Sequence, residues 1–180
     1  MKGTLDFGLA YGKESALQVY CDSSWASDLN DRRSVSGMVT MLNHGVVSYF
    51  SRKQKCAALS SSEAEYIAAS EATKETIRLR RLLRQLPGYH LPDGPTIIQE
   101  DNQGCLAMAN ATSLSKRTKH IDVRYHYVND MVREGEVILE YSATEVMLAD
   151  MMTKPIPQDK HQKHRSHLNV IDCCSGGELQ

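Results

Sequence analysis

The chain has 180 residues, of which 41% are hydrophobic and 24% are charged, and its formal net charge is −1. These values are typical of one globular domain, and no apolar run approaches the roughly 20 residues that cross a membrane. The near-neutral charge excludes a chain that binds nucleic acid by overall basicity, so such binding would need local basic patches or a neighbouring domain. The scattered cysteines, with no CxxC pair, indicate a reducing compartment and no zinc site.

The first half of the chain predicts three strands. Residues 1–15 contain three glycines and little periodicity, which is typical of a connector, and the fold is expected to begin directly after them. Strands are predicted at Leu17–Cys21, Val35–Leu42 and Val46–Phe50. The turn at 43–45 is so short that the second and third strands must be antiparallel.

A long helix is predicted after these strands. Ser60 and Glu63 have the S-x-x-E spacing of a capping box, and Pro87-Gly88 ends the helix. At about 1.5 Å per residue it is roughly 35–40 Å long, enough to span a small domain. Apolar residues at helical spacing form one buried stripe, namely Ile67, Ala68, Ala72, Leu79, Leu82, Leu83 and Leu86. The basic residues Arg78, Arg80, Arg81 and Arg84 are assigned to the solvated side of the helix.

The second half of the chain predicts a crossover to further strands. The predicted elements are a strand at Thr96–Glu100, helices at Gln103–Asn110 and Lys116–Arg133, a strand at Glu136–Tyr141, and a helix from Thr144 through Met152. A strand that follows a helical crossover pairs in parallel, so the prediction is an α/β fold with a mixed sheet covered by helices. The domain is expected to span residues 16–157, followed by a partly disordered tail at 158–180.

Four acids from separate elements are expected to converge. Asp22 ends the first strand, and Asp101 ends the fourth strand at the same edge of the sheet. Glu63 lies in the first turn of the long helix, and Asp150 lies in the last predicted helix. Carboxylates this close would repel one another unless a hard divalent cation lay between them. Two alternatives stay open: Glu63 is only a helix cap, and the acids are ordinary solvated side chains.

Five segments of the chain resemble the ribonuclease H domain of copia-type (Pseudoviridae) retrotransposon polyproteins. They are CDSSWASDLNDRRSVSG, ALSSSEAEYIAASEATKE, EDNQGCLAMAN, KRTKHIDVRYHYV and LADMMTKP, in this order, and the similarity covers roughly residues 2–158. The resemblance implies a ribonuclease H-like fold with a five-stranded mixed sheet, three antiparallel strands followed by parallel ones, flanked by helices. It also implies that residues 1–15 connect to a reverse transcriptase domain.

The resemblance further implies a catalytic site. Its acids would be Asp22, Glu63, Asp101 and Asp150, holding two Mg²⁺ ions, with Mn²⁺ as the alternative metal, and Asp22 would bridge the two ions. The reaction would be hydrolysis of the RNA strand of an RNA–DNA hybrid during reverse transcription. Positions that would contact the hybrid are Ser23, Ser36, Gly37, Ser62 and Asn102. The expected location is the cytoplasm, including virus-like particles, with the reverse transcriptase of the same polyprotein as partner and no membrane.

Other features carry weaker expectations. Two basic patches suit phosphate contacts, one made of Lys116, Arg117, Lys119 and Arg124, the other of Arg32, Arg33, Arg52, Lys53 and Lys55. His120 and Asp122 are interpreted as a helix start in preference to a metal or acid–base pair. The alternative function is a non-catalytic domain, either a decayed or domesticated copy that binds nucleic acid or a structural part of a Pol polyprotein.

Overall fold

The computed structural model describes residues 5–13, 17–111 and 122–174. Its strands are β1 (Phe7–Leu9), β2 (Leu17–Ser24), β3 (Val35–Leu42), β4 (Gly45–Lys53), β5 (Thr96–Glu100), β6 (Val137–Tyr141) and β7 (Val170–Asp172). Its α-helices are α1 (Ser61–Gln85), α2 (Gln103–Asn110), α3 (Asp122–Arg133), α4 (Asp150–Thr153) and α5 (Gln158–His167), and a 3₁₀ turn spans Thr144–Val146. None of the helices described is both long and apolar enough to cross a membrane.

The main sheet has five strands in the order β4-β3-β2-β5-β6. Strand β3 pairs antiparallel with both β2 and β4, while β5 pairs in parallel with β2 and β6. Asn43 and His44 have φ of 53° and 64°, the left-handed backbone that a tight hairpin between β3 and β4 requires. The predicted α/β fold with a mixed sheet of antiparallel and then parallel strands is confirmed.

Helix α1 packs on this sheet and supplies much of the core. Ser60 caps it, because the Ser60 Oγ accepts a hydrogen bond from the Glu63 amide at 3.2 Å. The predicted stripe is buried at Ile67, Ala68, Ala72, Leu79 and Leu83. Leu82 and Leu86 are exposed, so their predicted burial is wrong. Leu82 points about 100° away from Leu83 around the helix, and Leu86 lies past the last helical residue.

The last part of the chain differs most from the prediction. The single helix expected from Thr144 is a 3₁₀ turn followed by the short helix α4, which lies against β2 and β3. Residues 158–172 contain α5 and β7, and β7 pairs antiparallel with β1. The region expected to be a tail and the region expected to be a connector therefore form a small second sheet. The predicted domain limits and the connector assignment stay predictions, and residues 175–180 lie outside the described residues.

Candidate metal site

Two neighbouring strands and helix α1 bring three carboxylates together. Asp22 lies near the end of β2, and Asp101 directly follows β5, which runs parallel to β2. Glu65 reaches the same place from the second turn of α1. One oxygen of each side chain lies within 4.8 Å of an oxygen of the other two. The predicted convergence at the carboxyl edge of the parallel strands is thus found for Asp22 and Asp101.

The acid that helix α1 contributes is Glu65, and not the predicted Glu63. The Glu63 Oε2 accepts a hydrogen bond from the Leu59 amide at 3.0 Å, so this carboxylate caps the helix. Residues two apart on a helix point about 200° away from each other. Glu63 therefore occupies the helix-capping position that the alternative interpretation gave it. The assignment of Glu63 as a metal ligand lacks geometric support.

Helical spacing contains the signal that would have found Glu65. Buried residues of α1 recur at Glu65, Ala68, Ala72, Leu79 and Leu83. These positions lie within about 60° of one another around the helix, so they share its sheet-facing side. An acid on an otherwise apolar or small-residue stripe is a stronger functional signal than an acid in a first turn, where capping already explains it.

Burial and mutual repulsion raise the pKa values of the carboxylates in this cluster. Burial, followed by the nearby charges of Glu100, Asp22 and Asp101, raises the pKa of Glu65 from 4.5 to about 10. Burial is also the main cause that raises the pKa of Asp22. The Glu65 Oε2 has no hydrogen-bond partner among the described residues. A buried carboxylate that has one oxygen without a partner and lies beside two further carboxylates fits a hard cation that prefers oxygen ligands.

A fourth buried acid, Glu100, lies beneath the cluster and was missed from the sequence. Its Oε1 accepts a hydrogen bond from the Asn102 amide at 3.0 Å, and its Oε2 accepts one from the Cys21 thiol at 3.2 Å. Burial is the main cause that raises the pKa of Glu100 to about 8. Glu100 is thus occupied by protein donors, and it does not join the cluster around the cation position.

Asp150 lies beside this cluster, and its partners are lysines. It begins α4, is fully buried, and its Oδ1 lies 2.8 Å from the Lys154 Nζ. Its Oδ2 forms an ion pair with Lys160, whose Nζ also donates to the Thr144 carbonyl at 3.0 Å. The Lys154 Nζ lies 4.0 Å from the Asp22 Oδ2, which also accepts a hydrogen bond from the Thr153 hydroxyl. Asp150 is therefore near Asp22, and two ammonium groups already neutralise it.

The predicted substrate contacts divide into buried and accessible positions. Ser23, Ser36 and Gly37 are buried, and a Cβ on Gly37 would lie 2.6 Å from a Thr153 methyl carbon. Gly37 therefore lies under α4, and Ser36 is buried on the α1 side of the sheet, where its hydroxyl accepts a hydrogen bond from the Gln54 side chain. Ser62 and Asn102 are only half-buried.

Ser62 and Asn102 hold the start of two helices together. The Asn102 Oδ1 accepts hydrogen bonds from the Ser62 hydroxyl and from the Cys105 amide, each at 3.0 Å. Asn102 is thereby the N-cap of α2, directly after Asp101 in the chain. These two polar side chains border the acid cluster at the surface. Their role as substrate contacts stays a prediction.

Part of the predicted basic surface is paired with acids, while Arg32, Arg52 and Lys55 are exposed. Lys53 pairs with Asp28 at 2.6 Å and with Asp31 at 2.9 Å, and Arg33 also lies near Asp31 at 3.4 Å. Residues 112–121, with Lys116, Arg117, Lys119 and His120, lie outside the described residues, as does the side chain of Asp122. The interpretation of His120 and Asp122 as a helix start stays a prediction, although α3 does begin at residue 122.

The chain is similar to curated transposon proteins. It is 37% identical over 163 residues to the retrovirus-related Pol polyprotein from transposon TNT 1-94 of Nicotiana tabacum, which covers 90% of this chain and 12% of the relative. It is 33% identical over 173 residues to the Pol polyprotein from transposon RE2 of Arabidopsis thaliana, which covers 95% of this chain and 12% of the relative. The chain thus spans about 12% of the length of these curated relatives. No protein-family model matches it.

Solved structures with the same fold are ribonucleases H. RNase H1 of Halobacterium salinarum NRC-1 superposes with a TM-score of 0.56 at 13% identity, covering 77% of this chain and 95% of that one. LC11-RNase H1 in complex with an RNA/DNA hybrid superposes with a TM-score of 0.54 at 15% identity, covering 76% and 93%. At these identities the similarity establishes the fold alone.

Proposed function

This chain belongs to the copia-type, retrovirus-related Pol polyproteins, of which it is one segment with the ribonuclease H fold, and we propose that it hydrolyses the RNA strand of RNA–DNA hybrids. The observation that carries the proposal is the cluster of Asp22, Glu65 and Asp101, whose oxygens lie within 4.8 Å of one another. Three buried or half-buried carboxylates have no structural use for such proximity, because each raises the energy of ionising the others.

The three acids suit a divalent cation. Mg²⁺ prefers carboxylate oxygens, and the unpartnered Oε2 of Glu65 offers one such ligand. Asp22 and Asp101 would supply the others. A bound ion would lower the pKa of water so that it attacks a phosphodiester near neutral pH, and Mn²⁺ is the alternative metal. The ion would also allow Glu65 to ionise despite its burial.

The protein's own groups would position the substrate and the acids. The Thr144 hydroxyl donates to the Asp101 Oδ2 at 2.7 Å, and the Thr153 hydroxyl donates to Asp22, so both aspartates are held in fixed orientations. Ser62 and Asn102 lie where the sugar–phosphate backbone of a hybrid would approach the cluster. A hybrid is recognised partly through the 2′-hydroxyls of its RNA strand, and hydroxyl and amide side chains can pair with them.

The proposed setting of the activity is that of a Pol polyprotein. Because the relatives are Pol polyproteins, we propose that the chain acts beside the reverse transcriptase of the same polyprotein, in the cytoplasm or within virus-like particles. Its net charge of −1 supports a division of labour in which the neighbouring domain supplies much of the affinity for the hybrid.

A pair of neighbouring glutamates provides the sharpest test. The purified chain should cleave the RNA of a hybrid only with Mg²⁺ or Mn²⁺, and Glu65→Gln should lower the rate at least about 100-fold. Glu63→Gln is the matched control, because glutamine still completes a capping box, and its rate should stay within about twofold of the unchanged chain. Asp22→Asn should also abolish cleavage.

Three results would contradict the proposal. One is cleavage that continues after the divalent metal is removed. Another is a large loss in Glu63→Gln with none in Glu65→Gln, which would restore the original prediction for Glu63. The last is tight hybrid binding by the folded chain with no cleavage under any metal, which would favour a non-catalytic domain.

A further inference from the structure

Two lysine ammonium groups lie beside Asp150. The family resemblance implies a second metal ion held between Asp22 and Asp150. In the structure, both Asp150 oxygens contact lysine ammonium groups, one from Lys154 at 2.8 Å and one from Lys160. The Asp22 oxygen on this side, Oδ2, faces the Thr153 hydroxyl and the Lys154 Nζ. The Asp150 Oδ1 makes no hydrogen bond, but the Lys154 ammonium lies beside it as an ion pair, so each of these three oxygens already has an ammonium group or a hydroxyl next to it.

We infer that this chain binds one divalent cation, through Asp22, Glu65 and Asp101, and that the Lys154 ammonium occupies the place of a second ion between Asp150 and Asp22. The inference rests on the proposed function for its catalytic meaning. The number of divalent ions bound per chain can be measured without any cleavage, so it is tested separately.

The charges of the site balance under this arrangement. Four ionised carboxylates, from Asp22, Glu65, Asp101 and Asp150, are matched by one divalent ion together with the ammonium groups of Lys154 and Lys160. A second divalent ion would have to bind beside two ammonium groups, in a buried place where repulsion between like charges is poorly screened. Binding of that ion would therefore require both lysines to move away.

The two lysines have different roles. Lys160 is mostly buried, with 24% of its side chain exposed, and its second bond to the Thr144 carbonyl fixes it behind Asp150. It is a positioning residue. The Lys154 side chain is 41% exposed while its ammonium reaches both Asp150 and Asp22. Lys154 is thus the cation that a phosphodiester could touch.

The backbone places Lys154 at this point. Lys154 directly follows α4 with an extended backbone, and its ammonium reaches back to the Asp150 carboxylate four residues earlier. Helix α4 can approach β3 this closely because Gly37 has no side chain, and a Cβ there would lie 2.8 Å from the Met152 Cβ. The position of Lys154 therefore depends on tight packing and not on a surface loop.

In the reaction, Lys154 would stabilise the leaving group. The water oxygen loses a proton to solvent as it forms a bond to phosphorus, and the bond between phosphorus and the ribose 3′ oxygen breaks with its electron pair going to that oxygen. The Lys154 ammonium stabilises the developing negative charge, and a proton from solvent completes the 3′-hydroxyl. The new 5′-phosphate keeps the oxygen of water. An ammonium group can supply this stabilisation as a point charge.

Counting bound Mn²⁺ by electron paramagnetic resonance tests the inference. The full chain is titrated alone and with an RNA–DNA hybrid in samples frozen before turnover. We expect one bound Mn²⁺ in both cases, none in Glu65→Gln, and two in the Lys154→Met/Lys160→Met double variant. Lys163→Met, on the exposed side of α5, is the matched control and should keep one ion.

Cleavage gives a second measurement. At a Mn²⁺ concentration that fills one site, Lys154→Met should lower the rate about 100-fold, and more Mn²⁺ should restore part of the rate only in the Lys154→Met/Lys160→Met double variant. Two ions bound to the unchanged chain would overturn the inference, and this result does not depend on the folding of any variant. A double variant that is folded by circular dichroism and still binds one ion would also overturn it. A chain that binds one ion and cleaves nothing would refute the proposed function and leave the inference on metal number standing.

Discussion

Helix α1 carries a charged cluster towards each of its ends. The charges are paired with opposite charges or hydrogen-bond partners in one cluster and are all of one sign in the other. Towards the C-terminal end, the buried guanidinium of Arg80 donates to Glu136 at 2.7 Å, to the Thr96 hydroxyl at 2.7 Å and to the Gly94 carbonyl at 3.0 Å. Every nitrogen of Arg80 thus has an acceptor. Towards the N-terminal end, the main neighbours of Glu65 are other carboxylates.

The pKa values of the two clusters express this difference. Hydrogen bonds from Arg84 and then from Arg80 lower the pKa of Glu136, whereas burial and repulsion raise the pKa of Glu65 to about 10. Removing one member of a buried charged cluster that has a full set of partners is costly, because the remaining groups are left unpaired inside the protein. Buried charges of one sign oppose folding, and they persist where a ligand compensates them. The cluster around Arg80 is thus structural, whereas the cluster around Glu65 has the properties of a binding site.

The largest expected effect comes from breaking the satisfied cluster. Arg80→Met should lower the free energy of unfolding by about 3–5 kcal/mol, because Thr96 and the Gly94 carbonyl lose their donor inside the protein and Glu136 loses one of its two cations. Urea denaturation followed by circular dichroism measures this. Arg78→Met is the matched control, since Arg78 is mostly exposed and pairs with Glu75 on the surface. The control should change stability by less than about 1 kcal/mol, and equal losses in the two variants would refute the distinction.

A smaller effect of opposite sign is expected at the unsatisfied cluster. The Glu65 pKa is raised in the folded chain, so between about pH 4.5 and 10 the unfolded chain binds fewer protons and stability falls as the pH rises. Glu65→Gln removes this penalty and should stabilise the metal-free chain by on the order of 2 kcal/mol at pH 8. Below about pH 4.5 the variant and the unchanged chain should differ little.

Adding Mg²⁺ to the same stability measurement tests whether Glu65 binds the ion. Because the ion binds the folded chain through an ionised Glu65, Mg²⁺ should stabilise the unchanged chain at pH 8 and have little effect on Glu65→Gln. The stabilisation should grow with pH, since less proton competition remains. A Glu65→Gln chain that is less stable than the original at pH 8 without metal would show that the carboxylate is a structural group like Arg80.

The sequence predicted the sheet well because local signals and chain order determine it. The alternation of apolar residues, the turn at Asn43-His44 and the helical crossover are local features, and together they leave few topologies open. The convergence of Asp22 and Asp101 followed from the topology alone, since parallel neighbours end at the same edge. These predictions needed no knowledge of side-chain packing.

The predictions that failed depended on which way a helical side chain points. Glu63 was assigned to the site from its place in the first turn of α1 and from the family resemblance, although Glu65 shares the side of α1 that contains Ala68 and Ala72. Arg80 was assigned to the solvated side, yet only 4% of it is exposed, because it reaches Glu136 from the same buried side. A charge on a buried stripe contradicts the hydrophobic pattern, and the partner that resolves the contradiction is distant in sequence. The lysines that neutralise Asp150 could not be predicted either, since Lys160 comes from a region with no apolar periodicity.

The smallest expected effect isolates the helix cap from both clusters. Ser60→Ala removes the acceptor of the Glu63 amide and should lower the free energy of unfolding by about 1 kcal/mol. Because no charge changes, this loss should be the same at pH 5 and pH 8 and with or without Mg²⁺, unlike the effect at Glu65. Denaturation curves under these conditions measure it. A loss that grows with Mg²⁺ would mean that the capping box, with Glu63 in it, is coupled to the cation site, and the two glutamates would then belong to one functional unit.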